Sequence, residues 1–135
     1  MRILALDHGE ARVGAAACDP TETIATPVGV LSPDPAEVAP LVASAGAEMV
    51  VVGMPVTLSG DEGPQARSAR AYAAELEKLL DIPVTTYDER LTTRMASSSA
   101  RAGAGAPSDA LAAAHLLESF LLSRSGPTPV QEGNA

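Results

Sequence analysis

Hydrophobic positions change their period along this chain, and each change marks an element. Residues 3–6, 13–17 and 23–31 are short apolar runs, bounded by glycine, charge or the turn-forming Asp19-Pro20-Thr21-Glu22. Runs this short and rich in small and β-branched residues predict buried strands, and their short connections predict an antiparallel meander. Pro27 favours an edge position for the third strand, because proline removes a ladder donor. Ser32-Pro33-Asp34-Pro35 then breaks the strand pattern. Asp34 suits an N-cap, with Pro35 in the first helical position and Glu37 three residues on. Val38, Leu41, Val42 and Ala45 recur at helical spacing until Gly46 ends the helix.

Residues 48–52 (EMVVV) read as a fully buried strand, followed by Gly53-Met54-Pro55 and a polar loop over 57–63. Pro64 opens a long helix to about residue 80, with Ala69, Tyr72, Ala73, Leu76 and Leu79 on one face. Residues 82–87 (IPVTTY) predict another strand, ending in Asp88-Glu89-Arg90. Residues 91–100 have helical character with Thr92 or Thr93 as cap, and 103–107 (GAGAP) read as a flexible loop. Ser108 is expected to cap a final helix over 109–122. From residue 124 no apolar pattern continues, so one domain over 1–123 and a disordered tail over 124–135 are expected. The order β-β-β-α-β-α-β-α predicts an α/β fold with a five-stranded mixed sheet flanked by helices, its later strands parallel. Ligand sites in such sheets lie beyond the carboxyl ends of the parallel strands.

Composition narrows the picture. Apolar residues make up 46% of the chain but aromatics only 2%, so the core must be built from Ala, Val, Leu and Ile. No apolar run approaches the roughly 18 residues of a membrane span, and Asp7 interrupts any signal-like start. A soluble, cytoplasmic protein is the expectation. The single cysteine, Cys18, has no disulfide partner, and no Cys/His cluster offers a zinc site. The net charge of −8 argues against nucleic-acid binding by bulk electrostatics. Bound divalent cations would locally invert that sign.

Two predicted strands end in acids: Asp7 after the first, Asp88 and Glu89 after the last. Asp109 sits on the first turn of the final helix. Carboxylates at strand ends and a helix start can converge on one sheet edge, where they repel unless cations fill the cluster. Oxygen-only ligands suit Mg²⁺ or Mn²⁺. Two such ions roughly 3.5–4 Å apart would clamp the attacking water and the leaving oxygen of a phosphodiester. Each acid also has a structural reading. Asp7 caps a turn, Asp88 pairs with Arg90, Glu89 is a solvated loop residue, and Asp109 complements its helix dipole. Gly53 and Pro55, with the loop to Gly63, precede a helix N-terminus whose backbone N–H groups suit an anion, although no Walker lysine follows. Arg67 and Arg70 lie one turn apart, and Arg90 and Arg94 flank residues 91–93; arginine forks suit phosphate, and exposed helical arginine is equally a solvated face. His8 and His115 stand alone and are assigned no ligand role.

Four segments together resemble one family. LALDHGEARVGAA, VVGMPVTLSGDEGPQA, PVTTYDERLTT and SDALAAAHLLESFL match, in order, motifs of the YqgF/RuvX family of RuvC-like proteins, across residues 2–122. The resemblance implies an RNase H-like fold and a bacterial cytoplasmic nuclease associated with maturation of the 5′ end of pre-16S rRNA; the older family name assumes junction resolution. Carried over by motif, Asp7, Glu89 and Asp109 would be the metal-binding catalytic acids. Asp88, Arg90 and Thr92 share the most distinctive signature; Gly9, Arg12 and Gly14 match the first motif; Gly53, Pro55, Gly60 and Gly63 match the loop. The chain departs from the family pattern at His8, where an aromatic is common, and at Ser108, where an apolar residue is usual.

The expected function is therefore a metal-dependent endonuclease acting on structured RNA, with two cations held by Asp7, Glu89 and Asp109 and with Arg12 and Arg90 neutralising charge. Few aromatics for base stacking favour a substrate presented by a ribonucleoprotein, the immature small ribosomal subunit. Two other readings stand beside it: a DNA Holliday junction resolvase, which needs paired sites and so a dimer, and a non-catalytic RNA- or ribosome-binding module.

Overall fold

Ile3, Leu4, Ala5 and Leu6 are all fully buried, so the strand they form belongs inside a sheet covered on both faces. The computed structural model, which describes residues 1–55, 62–89 and 108–125, places β1 (Ile3–His8) there. β2 (Val13–Cys18) and β3 (Ala25–Leu31) complete the expected antiparallel meander on one side of it. β4 (Met49–Met54) and β5 (Val84–Asp88) pair parallel on the other. The sheet order is β3-β2-β1-β4-β5. Pro27 does lie on the edge strand. The register there passes from Ala15↔Gly29 to Ala16↔Pro27, leaving Val28 as the extra residue of a bulge.

The helices divide between the two faces. Leu4, Leu6, Val50 and Val52 pack with α1 (Val38–Ala45) and α2 (Pro64–Leu79). Ile3, Ala5, Ala16 and Val51 pack with α3 (Ser108–Ser125). Asp34 caps a 3₁₀ turn (Pro35–Glu37) ahead of α1, accepting from the Ala36 N–H at 3.0 Å. Glu37 reaches back to the Ser32 N–H at 3.0 Å. Gly46 closes α1 in the left-handed region, at φ 65°.

Two expectations need correction. Leu79 is 52% exposed rather than on the buried face of α2. The helix ends there, and the extended Leu80 packs against the core instead. The final helix runs past residue 122 to Ser125, so Arg124 is helical and not part of a tail. Its guanidinium ties the helix end to Glu22, Nε to Oε1 at 3.0 Å, and lies 5.6 Å from the centre of the Phe120 ring. The expected helix over 91–100, the 103–107 loop, Gly60, Arg90, Thr92 and the chain beyond 125 lie outside the described residues. No helix among those described is long and apolar enough to cross a membrane.

A Cβ at Gly14 would overlap the backbone carbonyl of Asp109, so glycine is what lets α3 rest directly on β2. A Cβ at Gly63 meets nothing within 4 Å. Gly14→Ala is therefore expected to destabilise the fold by roughly 1–3 kcal/mol, and Gly63→Ala by under about 0.5 kcal/mol. Paired urea melts check this, and equal midpoints would count against the close approach.

Glu118 is buried, with Oε1 lacking a hydrogen-bond partner, and burial raises its pKa. A carboxyl group with a raised folded-state pKa contributes most below its unfolded value, and that contribution is lost as pH rises. Glu118→Gln is thus expected to be more stable than wild type at pH 7. The advantage should vanish near pH 4, about where an unfolded glutamate titrates. Thermal melts across that range measure it.

Candidate active site

Strand alternation decides which side chains meet at the carboxyl edge of β1. Ile3 and Ala5 face α3 while Leu4 and Leu6 face α2, so Asp7 emerges on the α3 side and His8 on the α2 side. His8 packs on Tyr72, ring centroids 4.6 Å apart. Parallel pairing of β1, β4 and β5 brings the ends of all three strands to this edge. On β5, Tyr87 faces α3, its hydroxyl 2.8 Å from Ser119 Oγ and its ring edge-on to Phe120. Alternation puts Asp88 on the opposite face, and Glu89, one residue past the strand, turns to Asp7. Gly53 on β4 leaves the room, since a Cβ there would lie 2.5 Å from Glu89 Oε2 and 3.0 Å from Leu116 Cδ2.

Asp7 and Glu89 hydrogen-bond each other. Burial, the hydrogen bond to Asp7 and the charges of Asp7 and Asp88 push Glu89 up to about 8. Burial also raises Asp7, with a smaller upward contribution from the charge of Asp109. Glu89 thus carries the proton of the pair and Asp7 accepts it. Asp109, at the start of α3, forms an ion pair with Arg12 of the β1–β2 turn, Nε to Oδ2 at 2.6 Å. Burial lowers the pKa of His8, against the charge of Asp7.

Two cavities flank the acid pair. One of about 220 Å³ is lined by Asp7, His8, Glu10, Pro55, Gln65, Ser68 and Glu89, among others. The other, about 210 Å³, is lined by Asp7, Glu89, Ala112, His115 and Leu116. Two carboxyl groups held in contact, half-buried and offering only oxygen, have the donor chemistry of a hard divalent cation. Asp109 would be the third donor. As the side chains stand, no three His, Cys, Asp or Glu residues among those described are gathered as a metal-binding group.

The structure therefore brings Asp7 and Glu89 into contact and Asp109 to the same edge. Gly9 closes the β1–β2 turn, donating its N–H to the Arg12 carbonyl at 3.0 Å. Gly53 lies inside β4, Pro55 lines the first cavity, and Gly63 precedes α2. Arg67 and Arg70 turn to Glu62, on its carbonyl and its carboxylate respectively. Arg90 and Thr92 lie outside the described residues. The residues that sequence reasoning missed are Glu10, Gln65, Ser68 and His115. Gln65 and Ser68, one turn apart behind Gly63-Pro64, carried a faint signal; His115 carried none.

A mixed sheet in this order, helix-covered on both faces and with acids at the ends of its first and last strands, belongs to the RNase H-like class of folds. Solved structures agree: RuvC of T. thermophilus in complex with a Holliday junction substrate superposes with a TM-score of 0.64 at 14% identity, over 93% of this chain and 96% of that one. A second Thermus thermophilus RuvC structure gives 0.61 at 17% identity. The chain belongs to the RuvX family, whose model, described as Holliday junction resolvase, matches residues 1–123. A Chloroflexus aggregans protein is 37% identical over 93% of this chain and 96% of its own length. A Paramagnetospirillum magneticum protein is 35% identical over 93% and 88%. Both bear the name "Putative pre-16S rRNA nuclease".

Gly53→Ala tests how the pair is held. The nearest obstacle is the end of a flexible side chain, so the fold is expected to survive while Glu89 is displaced from Asp7. Carboxyl-carbon NMR titration should find Glu89 titrating near 8 in the wild type and lower in the variant.

Proposed function

We infer that this chain is a metal-dependent endonuclease that hydrolyses phosphodiester bonds in precursor 16S rRNA, at the 5′ end, in the cytoplasm. The observation that carries the reading is the Asp7–Glu89 carboxyl pair, held in contact at the sheet edge that Asp109 also reaches. Two ionised acids this close would repel, so the pair shares a proton unless a cation balances both charges. The names of relatives aligned over nearly the whole chain support the choice of RNA. The RuvC-like fold supports phosphodiester chemistry at this edge.

Asp7, Glu89 and Asp109 would hold Mg²⁺ or Mn²⁺, two ions in the fullest form of the reading. Divalent cations there supply electrostatic stabilisation of the phosphodiester and a water of lowered pKa. The chain's own part is positional. The ends of β1 and β5 fix Asp7 and Glu89 on a rigid sheet, and Gly14 sets α3, and with it Asp109, against β2. The cavity between Glu10, Pro55, Gln65 and Ser68 gives the backbone of a nucleic acid access to the pair. Arg12, and Arg90 from the shared signature, would take phosphate charge. With a net charge of −8, the chain gains little from bulk attraction. A precursor presented within the immature small subunit fits that balance.

Labelled pre-16S 5′-end RNA, free and in immature subunits, would be incubated with Mg²⁺ or Mn²⁺ and with chelator, beside a four-way DNA junction. Metal-dependent RNA cleavage is expected, with a loss of at least a hundredfold in Asp7→Asn, on the order of one major catalytic group. Cleavage of the junction alone, by a dimer in light scattering, would move the assignment to junction resolution. Full activity in Asp7→Asn would remove the proposed site.

A further inference from the structure

The geometry points to a second role for Arg12: its guanidinium holds Asp109 as a placeholder in the metal-free protein, and it leaves that carboxylate for a substrate phosphate when a divalent cation binds. This inference rests on the metal-nuclease reading above.

Three observations carry it. First, the Arg12 Nε to Asp109 Oδ2 contact of 2.6 Å engages the one proposed metal-ligand carboxylate that does not hydrogen-bond within the Asp7–Glu89 pair. A cation would need the same carboxylate, so the guanidinium and the cation compete for it. Second, no three acids among the described residues are gathered for a metal while Asp109 is so held. Third, the partners differ in how they are anchored. The Arg12 backbone is fixed by the Gly9 hydrogen bond at 3.0 Å, and Asp109 is seated over Gly14. The Arg12 side chain, 66% exposed, is free to swing about that fixed backbone.

The energetics favour exchange. An exposed pair of this kind contributes little, so its loss is a small barrier to cation entry. A guanidinium released at this edge faces the position where phosphate must lie if the acids hold the metal. Its planar fork matches a phosphate bidentately, which an ammonium does not. The β1–β2 turn thus pairs Asp109 when the site is empty and reads the substrate when it is loaded.

The test is a double-mutant cycle on Mn²⁺ binding, measured calorimetrically without nucleic acid on wild type, Arg12→Gln, Asp109→Asn and the double variant. Removing the competitor is expected to tighten Mn²⁺ binding roughly two- to fivefold in Arg12→Gln, the range an exposed pair is worth. The gain should disappear when Asp109 is already Asn. In a second arm, Ca²⁺-supported binding of a single-stranded RNA should weaken in Arg12→Gln. Its salt slope should fall by about 0.7, one phosphate contact on a single strand. An Arg12→Lys protein should recover less than half of that lost affinity, because it lacks the fork.

A gain that persists in the Asp109→Asn background would mean a general field effect and would overturn the exchange. Unchanged Mn²⁺ affinity in Arg12→Gln would do the same, leaving the nuclease reading intact. Absence of Mn²⁺ binding in the wild type would overturn both.

Discussion

The site depends on two strand positions where the absence of a side chain leaves room for a neighbour. At Gly14 the first turn of α3 sits on the floor of β2, and the Asp109 carbonyl occupies the space a Cβ would take. At Gly53 the missing side chain leaves a slot on β4 into which the Glu89 carboxylate folds. Each glycine lies on a strand beside β1, opposite a different acid, with Asp7 between them. A sheet edge fixes only the residues at its strand ends. These two gaps let a helix and a post-strand acid join them, turning a strand-end aspartate into a cluster.

Neighbouring acids need their charge balanced, and here two devices balance it. Burial favours the neutral form of Glu89, and its proton becomes a hydrogen bond to Asp7. Arg12 takes Asp109. His8, which could have supplied a nearby cation, is instead packed on Tyr72 across the sheet, where burial disfavours its charged form. Pairing costs least where the side chains remain near solvent, as Arg12 and Asp109 do. The more deeply placed Asp7–Glu89 pair is balanced by a proton because an ion pair there would carry a desolvation penalty.

Much of this was legible in the chain. The strand runs, the Gly46 stop and the edge position of Pro27 follow from period and punctuation, which report local geometry directly, and the parallel pairing of the later strands from the crossover rule. The acids at the ends of β1 and β5 were visible for the same reason, since a strand's last polar residue announces the sheet edge. Their contact was not visible. Whether Glu89 turns towards Asp7 depends on the empty place at Gly53, a tertiary fact that leaves no periodic trace. The end of α3 was misread because apolar spacing stops at Leu122, whereas the helix is held further on by Arg124 bonding to Glu22, 102 residues away in sequence. Leu79 was misplaced because the pattern cannot see where the helix axis leaves the sheet. His115 lines a cavity with the acids through the packing of α3 on the sheet, which its lone place in the sequence does not signal.

The distribution of positive charge bears on what such a site can recognise. Arg12, Arg70, Lys78 and Arg124 are each paired with a carboxylate of the chain itself, and Arg67 donates to the Glu62 carbonyl. A polyanion approaching any of these described cations meets a group already engaged, on a chain of net charge −8. It can bind by partner exchange, trading an exposed internal pair worth about 0–1 kcal/mol for a charge-assisted bond to phosphate. Exchange of that kind gives little affinity to nucleic acid at large, because each gain is offset by the pair it breaks. On the proposed exchange it would give most where metal and phosphate arrive together, since the metal would then take the carboxylate that Arg12 leaves. On the proposed reading, selectivity for a correctly presented backbone would follow from such exchange rather than from bulk attraction, which the net charge of −8 opposes.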